Sequence, residues 1–401
     1  MNLIGIISAA LLTPRKENSK LTRMAPNLLG STATLFLEAT QEDVRQSKKS
    51  TEPTPSTPKT VAKKSESNET TYEWKIVWHN VIAFLYLHLG ALYGIYLFFV
   101  SAKLLTFVWT MTVASTGAVG ITAGAHRLWA HRAYKAKWPL RVLLMICQTM
   151  AFQNHLSEWV RDHRVHHKFT DTNADPHNAK RGFFFSHIGW LLVRKHPDVI
   201  TKGATVDVSD LEKDPVVVWQ RRLYVILMPV FCFLIPTWVP CHFWGETAMN
   251  SWYCAAVFRY TLSLNLTWLV NSAAHIWGMK PYDDSISPTD DFLIAVGAFG
   301  EGWHNYHHVF PWDYKAAELG NYRANFSTAL IDFFAWVGWA YDLKSVPIEM
   351  VNKRAARTGD GSRTRQNEHY GHSHEGAIWG WGDADMHSED IADAHIERKG
   401  V

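Results

Sequence analysis

Cysteine is scarce in this chain of 401 residues, which contains only Cys147, Cys232, Cys241 and Cys254. No two of them have the close spacing that is typical of a thiolate metal site or a redox pair. All four lie in or beside apolar runs, so we interpret them as reduced packing residues. Soft-metal and iron–sulfur sites are therefore disfavoured.

A strong charge of either sign is also lacking. The formal net charge is +3, from 40 basic and 37 acidic residues. A nucleic-acid-binding protein would instead carry a basic stripe or a strongly basic domain, so we expect no nucleic-acid partner. The apolar residues 2–12 have no basic segment before them and no clear cleavage site after them, which argues against a secretory signal.

Both ends of the chain are poor in apolar residues. Residues 1–71 are mostly Ser, Thr, Pro, Lys and Glu, and residues 357–401 are rich in Gly, Asp, Glu and His. Such segments bury too little apolar surface to offset the entropy lost on ordering. The sequence therefore predicts a disordered N-terminal segment over 1–71, a folded domain over 72–356 and a disordered tail over 357–401, with the tail histidines solvated.

Long apolar runs dominate the middle of the chain, and four are long enough to cross a bilayer, which takes about 20 residues. They are Asn80–Ala102, Leu104–Ala125, Leu223–Trp244 and Ala248–Ala274. Very short links join the first run to the second and the third to the fourth. The sequence therefore predicts an all-α integral membrane protein with four spanning helices in two hairpins, under a cytosolic helical cap. Arg259, inside the fourth run, should face the bundle or a polar cavity.

Loop charges predict the orientation of these runs. The first link holds only Lys103, and the link Gly245–Thr247 has no Lys or Arg. The basic residues that follow the second run are Arg127, Arg132, Lys135, Lys137 and Arg141. The positive-inside rule then places both termini and the large middle segment in the cytosol.

A further apolar stretch, Pro139–His155, is shorter than a comfortable span. We interpret it as a helix that lies in the interface or packs in the cytosolic part. The choice matters because a crossing there would put the histidines before and after it on opposite sides of the membrane.

Histidine is abundant, with 21 residues, and three clusters stand out. The second and third clusters share the spacing i, i+3, i+4, which places three imidazoles on one helix face. The first spans i to i+5, and His275 directly follows the fourth apolar run, with Asn271 one turn before it. The clusters are His126 and His131; His163, His166 and His167; and His304, His307 and His308.

The predicted topology places all nine of these histidines on the cytosolic side. A lone histidine is more often a packing residue, but three clusters favour a metal centre. Nine imidazoles are too many for one metal, because a catalytic zinc takes three protein ligands. Two metals with four or five nitrogens each would fit, and iron, zinc, copper and manganese all accept imidazole.

These clusters, in this order and spacing, resemble those of the membrane fatty acyl-CoA desaturases. The resemblance covers roughly residues 72–362 and includes several longer strings. They are Gly120–Arg132, Glu158–Lys168, Asp175–Asn178, Arg181–Trp190, Asn271–His275 and Gly300–His308.

The resemblance implies a fatty acyl-CoA substrate, O2, and a centre of two Fe2+ ions held by the nine histidines, with Asn271 reaching one iron through water. It also implies electrons from a separate cytochrome b5 and its NADH-dependent reductase, because the His-Pro-Gly-Gly haem motif of fused relatives is absent. The expected location is the endoplasmic reticulum membrane, and the expected activity is Δ9 desaturation. A related di-iron hydroxylase is the alternative enzyme.

A metal transporter or a membrane scaffold is the non-enzymatic alternative. A transporter should have ionisable residues at mid-membrane depth in several helices. The histidines here lie at or beyond the helix ends, which argues against transport.

The family match also implies residues that bind the substrate. Those expected at the CoA or the nearby chain are Asn80, Asn154, Arg161, Asp162, Arg194, Lys195 and Trp268. Arg194 and Lys195 have an alternative as anchors to anionic lipid. Thr110 and Ala114 are expected at the end of the acyl tunnel, with core packing as the alternative.

Acceptors that would fix the histidine tautomers are also expected. The candidates are Asp162, Asp175 and Glu301. For Asp162 the alternative is a salt bridge with Arg161 or Arg164.

Overall fold

A computed structural model describes residues 72–318, 322–363 and 377–397, so the segment 1–71, predicted to be disordered, lies outside the described residues. The fold is mostly helical. The helices of ten or more residues are α1 Trp78–Val100, α2 Leu104–Ala130, α3 Trp138–Ala151, α4 Leu156–Phe169, α5 Pro215–Trp244, α6 248–275, α7 Phe326–Trp336 and α8 Ile348–Thr358. The shorter helical segments are Ala179–Arg181, Phe185–Gly189, Trp190–Leu192, Pro197–Gly203, Ser209–Lys213, Phe292–Gly297, His304–Val309, Tyr322–Ala324 and Ser388–Asp393.

Within the part of the chain that the structure describes, three helices, α1, α2 and α5, are long and apolar enough to cross a membrane. They coincide with the first three predicted runs. The fourth run forms the continuous helix α6, but Arg259, Asn250 and Asn265 interrupt its apolar sequence, and α6 is not among the three. Four spans in two hairpins therefore stay a prediction.

The links after α1 and after α5 are tied together by Glu246. Its carboxylate accepts hydrogen bonds from the Lys103 backbone N–H at 2.8 Å and from the Thr106 hydroxyl at 2.6 Å. It also accepts from the Asn250 side chain at 2.9 Å. The α1–α2 and α5–α6 turns therefore lie side by side at one end of the helix bundle.

Arg259 is buried within this bundle, as its position in an apolar run predicted. Its guanidinium donates to the carbonyl of Met150 at 3.0 Å and to the carbonyl of Cys232. Backbone carbonyls thus offset part of the cost of removing the charge from water. The contacts join α6 to both α3 and α5.

Helix α3 has 14 residues and is about 21 Å long, well short of the roughly 30 Å apolar core of a bilayer. It packs against α2 and α5. This length agrees with the prediction that the stretch after Pro139 does not span the membrane.

The last eleven residues of α2, Gly120–Ala130, form a π-helix. Gly120 lies against the α3 backbone, and a Cβ atom there would come within 2.1 Å of the Gln148 nitrogen. The absence of a side chain at this position therefore lets α2 and α3 touch backbone to backbone, directly below the first histidine cluster.

Two short antiparallel sheets join distant parts of the chain. In one, β1 (Lys135–Ala136) pairs with β2 (Ala340–Tyr341), and in the other β3 (Leu343–Ser345) pairs with β4 (His395–Glu397). The sequence predicted a disordered tail from residue 357. The structure differs there, because α8 continues to Thr358 and residues 377–397 fold back onto the domain.

We predict that Gly120→Ala destabilises the protein by about 1–3 kcal/mol, the usual cost of overpacking, because the added methyl must push α2 and α3 apart. Gly117→Ala on the same helix is the matched control, since its Cβ would meet Ala151 at an ordinary 3.6 Å. Thermal unfolding of both variants in detergent measures the difference. Equal melting temperatures for the two variants would contradict the proposed contact.

Candidate metal centre

The first histidine cluster is shaped by the π-helix. On an α-helix, residues i and i+5 point about 140° apart. Here the His131 backbone N–H donates to the His126 carbonyl at 3.0 Å, an i to i+5 bond, and the two rings lie 4.7 Å apart between centroids. The wider helix thus explains why this cluster has a five-residue spacing.

The second and third clusters use ordinary helical geometry. His163, His166 and His167 project from one face of α4, and the third cluster occupies the short helix His304–Val309. His275 is the last residue of α6. Four separate elements therefore deliver imidazoles to one place, which is the convergence that the predicted topology required.

The nine histidines form two groups, in each of which the candidate ligand atoms lie within 4.8 Å of one another. The first group has five members and the second has four. The first comprises His126, His131, His163, His167 and His307, and the second comprises His166, His275, His304 and His308. Each group is capable of holding one metal ion.

Two carboxylates fix the orientation of one histidine in each group. Glu301 lies 2.7 Å from Nδ1 of His126, and Asp175 lies 3.0 Å from Nδ1 of His166. Burial alone would raise the pKa of Glu301. The nearby Arg127 and His126 lower this pKa by more than burial raises it, so the pKa lies below its usual range. The structure thus places both predicted carboxylates beside Nδ1 of a histidine, which leaves Nε2 of that ring to bind a metal.

Two further acceptors were not foreseen from the sequence. The Trp379 carbonyl accepts from Nδ1 of His131, and the Ser287 hydroxyl lies 2.9 Å from Nδ1 of His275. Ser287 is twelve residues after its histidine in a segment without periodicity, and Trp379 lies in the polar tail. Neither position carried a sequence signal.

Asp162 does not take the predicted role of histidine acceptor. Its carboxylate accepts from Arg161 at 2.9 Å and from Lys195 at 2.5 Å. The alternative of a salt bridge with Arg161 is therefore the one that the structure supports. Arg164 instead pairs with Asp210 at 2.7 Å.

The Nε2 atoms face one another inside each group. Those of His126 and His307 are 2.9 Å apart, and those of His166 and His308 are 3.3 Å apart. Because Asp175 accepts the Nδ1 hydrogen of His166, the Nε2 lone pair of that ring points at a neighbouring nitrogen. Nitrogens at these distances could share a metal ion, so the geometry fits bound metal ions.

The protonation states fit the same conclusion. Burial lowers the pKa of His163, His167, His304, His307 and His308 well below the usual range. Neighbouring imidazoles lower it further. These rings are therefore neutral near pH 7, the form in which histidine binds metals.

Two cavities adjoin the histidines. The smaller, of about 110 Å³, is lined by Asn154, Asp162 and Trp268 among others. The larger, of about 250 Å³, has a mostly apolar wall that includes Ala114. His163 and Asn271 belong to the walls of both, so the two cavities meet beside the metal centre.

The other predicted substrate residues do not line either cavity. Asn80 is buried, and its amide donates to the Leu191 carbonyl at 2.6 Å. The Thr110 hydroxyl donates within its own helix to the Thr106 carbonyl. Core packing, the alternative weighed for Thr110, therefore describes its position. Arg161 and Arg194 lie outside the lining, as does Lys195.

Comparison with known proteins places the chain in a family. A family model described as "Fatty acid desaturase" matches residues 104–341. The "Acyl-CoA Delta-9 desaturase" of Acheta domesticus is 63% identical over 82% of this chain and 88% of its own length. The "Acyl-CoA Delta12-desaturase" of the same species is 57% identical over 84% of this chain and 91% of its own length.

Similarity extends to a vertebrate protein. The "Stearoyl-CoA desaturase 5" of Homo sapiens is 55% identical over 72% of this chain and 86% of its own length. The residues that the family model matches include all three histidine clusters. The resemblance drawn from those clusters is therefore confirmed: the chain belongs to the fatty acid desaturase family of oxidoreductases.

Proposed function

We propose that this protein is an acyl-CoA desaturase that introduces a double bond, at Δ9, into a saturated fatty acyl-CoA at a centre of two irons. The observation that carries the proposal is the convergence of nine histidines into a group of five and a group of four beside two neighbouring cavities. The names of the similar proteins support the substrate class, although they include Delta-9, Delta12 and Delta(11) enzymes.

The nine histidines would hold the metals, one ion in each group, and Asn271 would reach one of the ions through water. The histidines in both groups offer imidazole nitrogens, and the described cysteines lie outside both groups. Such ligands favour a divalent metal such as Fe2+ over the sites that thiolates build. Bound iron would supply the O2-derived oxidising power that removal of hydrogen from an unactivated methylene requires.

The two cavities would hold the acyl chain. We expect the thioester end in the smaller cavity, near Asn154 and Trp268, and the methyl end in the larger one, near Ala114. The junction at His163 and Asn271 then sets which carbons lie beside the metals. The chain's own residues thus bind and orient the substrate and exclude water.

Cations near the smaller cavity would bind the CoA phosphates. Trp190 and Leu191 line that cavity, and the exposed Arg194 follows them closely in the chain. Arg161 and Lys195 are held beside the cavity by Asp162, which belongs to its wall. Guanidinium and ammonium groups are the usual partners of phosphate. The position of these side chains near the smaller cavity favours substrate binding over lipid anchoring.

We further propose that the enzyme resides in the endoplasmic reticulum membrane with both termini in the cytosol. Loop charges support this orientation. Electrons would come from NADH through a separate reductase and cytochrome b5, which approach the same cytosolic side as the histidines.

Expression in a desaturase-deficient yeast tests the activity. We expect growth without added unsaturated fatty acid and monoenes whose double-bond positions, read by mass spectrometry of derivatised lipids, lie at carbon 9. A hydroxylated product would identify a hydroxylase instead. Monoenes at another position would leave desaturation standing and correct the position.

Removal of one histidine ligand should abolish activity and lower metal content. We predict that His307→Ala and His304→Ala each contain fewer than two irons per chain and lose at least about 100-fold in desaturation rate with NADH, reductase and cytochrome b5. His242→Ala is the matched control, because His242 is exposed on α5 and stacks on Trp238 away from the site. Full activity of the two ligand variants would refute the metal assignment.

The larger cavity should limit chain length. We predict that Ala114→Phe lowers the rate on an eighteen-carbon relative to a fourteen-carbon acyl-CoA by at least about tenfold, because each methylene that no longer fits costs about 1–3 kcal/mol. Val108→Phe is the control, since Val108 is exposed on the same helix. An unchanged ratio of rates in Ala114→Phe would place the end of the acyl chain elsewhere.

A further inference from the structure

The segment Ile378–Met386, which we call the C-terminal strap, lies against the first histidine cluster. Three consecutive strap residues contact His131. The Trp379 carbonyl accepts from Nδ1 of His131, the Trp381 N–H donates to the His131 carbonyl at 3.0 Å, and Gly380 lies between them. The strap thus holds both the ring and the backbone of one candidate ligand.

Gly380 makes this close approach possible. Its φ is +148°, and a Cβ atom there would lie 2.6 Å from the His131 carbonyl oxygen and 2.7 Å from its Cα. A side chain at position 380 could not be accommodated without moving the strap away from His131.

Trp379 is itself held in place by charged groups. Asp383 accepts the Trp379 backbone N–H at 2.8 Å, and the same carboxylate pairs with Lys168 at 2.9 Å. The guanidinium groups of Arg132 and Arg164 lie 4.7 and 4.3 Å from the centre of the indole ring. Arg132 follows the first cluster in sequence and Lys168 follows the second, so the strap is fastened to both.

Apolar contacts fasten the other side of the strap. Ile378 and Met386 are buried in a cluster with Tyr306 and Phe310. Tyr306 lies in the short helix that carries the third histidine cluster, and Phe310 directly follows that helix. The strap therefore connects all three histidine clusters, and strand β4 beyond it pairs with β3.

A carbonyl oxygen can only accept a hydrogen bond. Trp379 therefore keeps the hydrogen of His131 on Nδ1 and leaves the Nε2 lone pair pointing at the five-histidine group, where it lies 2.8 Å from Nε2 of His163. Without the strap, the ring could rotate or change tautomer.

We propose that the C-terminal strap is a positioning element for the metal centre, which completes the five-histidine group by orienting His131 through the Trp379 carbonyl. This inference rests on the proposed function, because it requires that the group bind a metal. It assigns a role in metal retention to a part of the chain that is remote in sequence from all nine histidines.

The test is the rate at which a ferrous chelator removes iron from the purified, iron-loaded full-length protein. We expect Gly380→Val and Asp383→Ala to lose one of two irons about 10-fold to 100-fold faster than the wild type, the usual effect of losing a group that orients a ligand. Asp383→Asn keeps an acceptor for the Trp379 N–H, so its rate of iron release should be closer to that of the wild type. If Gly380→Val does not fold, Asp383→Ala and Asp383→Asn carry the same comparison.

Two controls separate positioning from general destabilisation. Gly361 also has a positive φ, +80°, but open space around its Cβ, so Gly361→Ala should release iron at the wild-type rate. In a His131→Ala background, Asp383→Ala should add no further acceleration, because the strap acts through His131.

The possible failures are distinguishable. A wild-type protein that holds no iron would overturn the proposed function itself. A wild type with two irons, together with strap variants that release iron at the wild-type rate, would overturn the strap proposal alone. So would an undiminished effect of Asp383→Ala in the His131→Ala background.

Discussion

The structure depends on one physical constraint: nine imidazoles, mostly buried, converge with their nitrogen atoms facing one another. Such an arrangement is unfavourable without cations, because like partial charges converge where little water can enter. Two metal ions, one for each group, would turn the same geometry into a source of stability. The surrounding features follow from the need to hold these rings in place before a metal arrives.

Several elements of the fold serve this need. The π-helical end of α2 brings His126 and His131 together, and the backbone contact at Gly120 fixes that end against α3. Helix α3 is shorter than a bilayer span requires, and the clusters before and after it converge at one place. Helix α6 then delivers both His275 to one metal group and Asn271 to the junction of the two cavities.

The sequence predicted much of this because its signals were local and chemical. Spacings of i, i+3 and i+4 predict a shared helix face, and the apolar runs predict membrane helices. Charges on the loops predicted that the histidines share one side. The family followed from the histidine clusters, and Asp175 and Glu301 were recognised because carboxylates near histidine clusters are their usual acceptors.

What the sequence did not predict depends on tertiary contacts. A spacing of five residues does not by itself predict a π-helix, because on the far more common α-helix the same two residues point in different directions. Asp162 could have faced histidines or cations, and only the packing of Lys195 against it decides between them. The sequence predicts disorder for residues 377–397 because their contribution lies in a backbone carbonyl and a few buried side chains within a polar segment. The amino-acid composition of this segment indicates neither the carbonyl contact nor the buried side chains.

The most direct measurement of the central claim is an experimental structure of the purified enzyme with anomalous scattering recorded at the iron absorption edge. The account predicts two anomalous peaks, one inside the five-histidine group and one inside the four-histidine group, with His131 still bonded to the Trp379 carbonyl. A single peak, or peaks outside these groups, would contradict it.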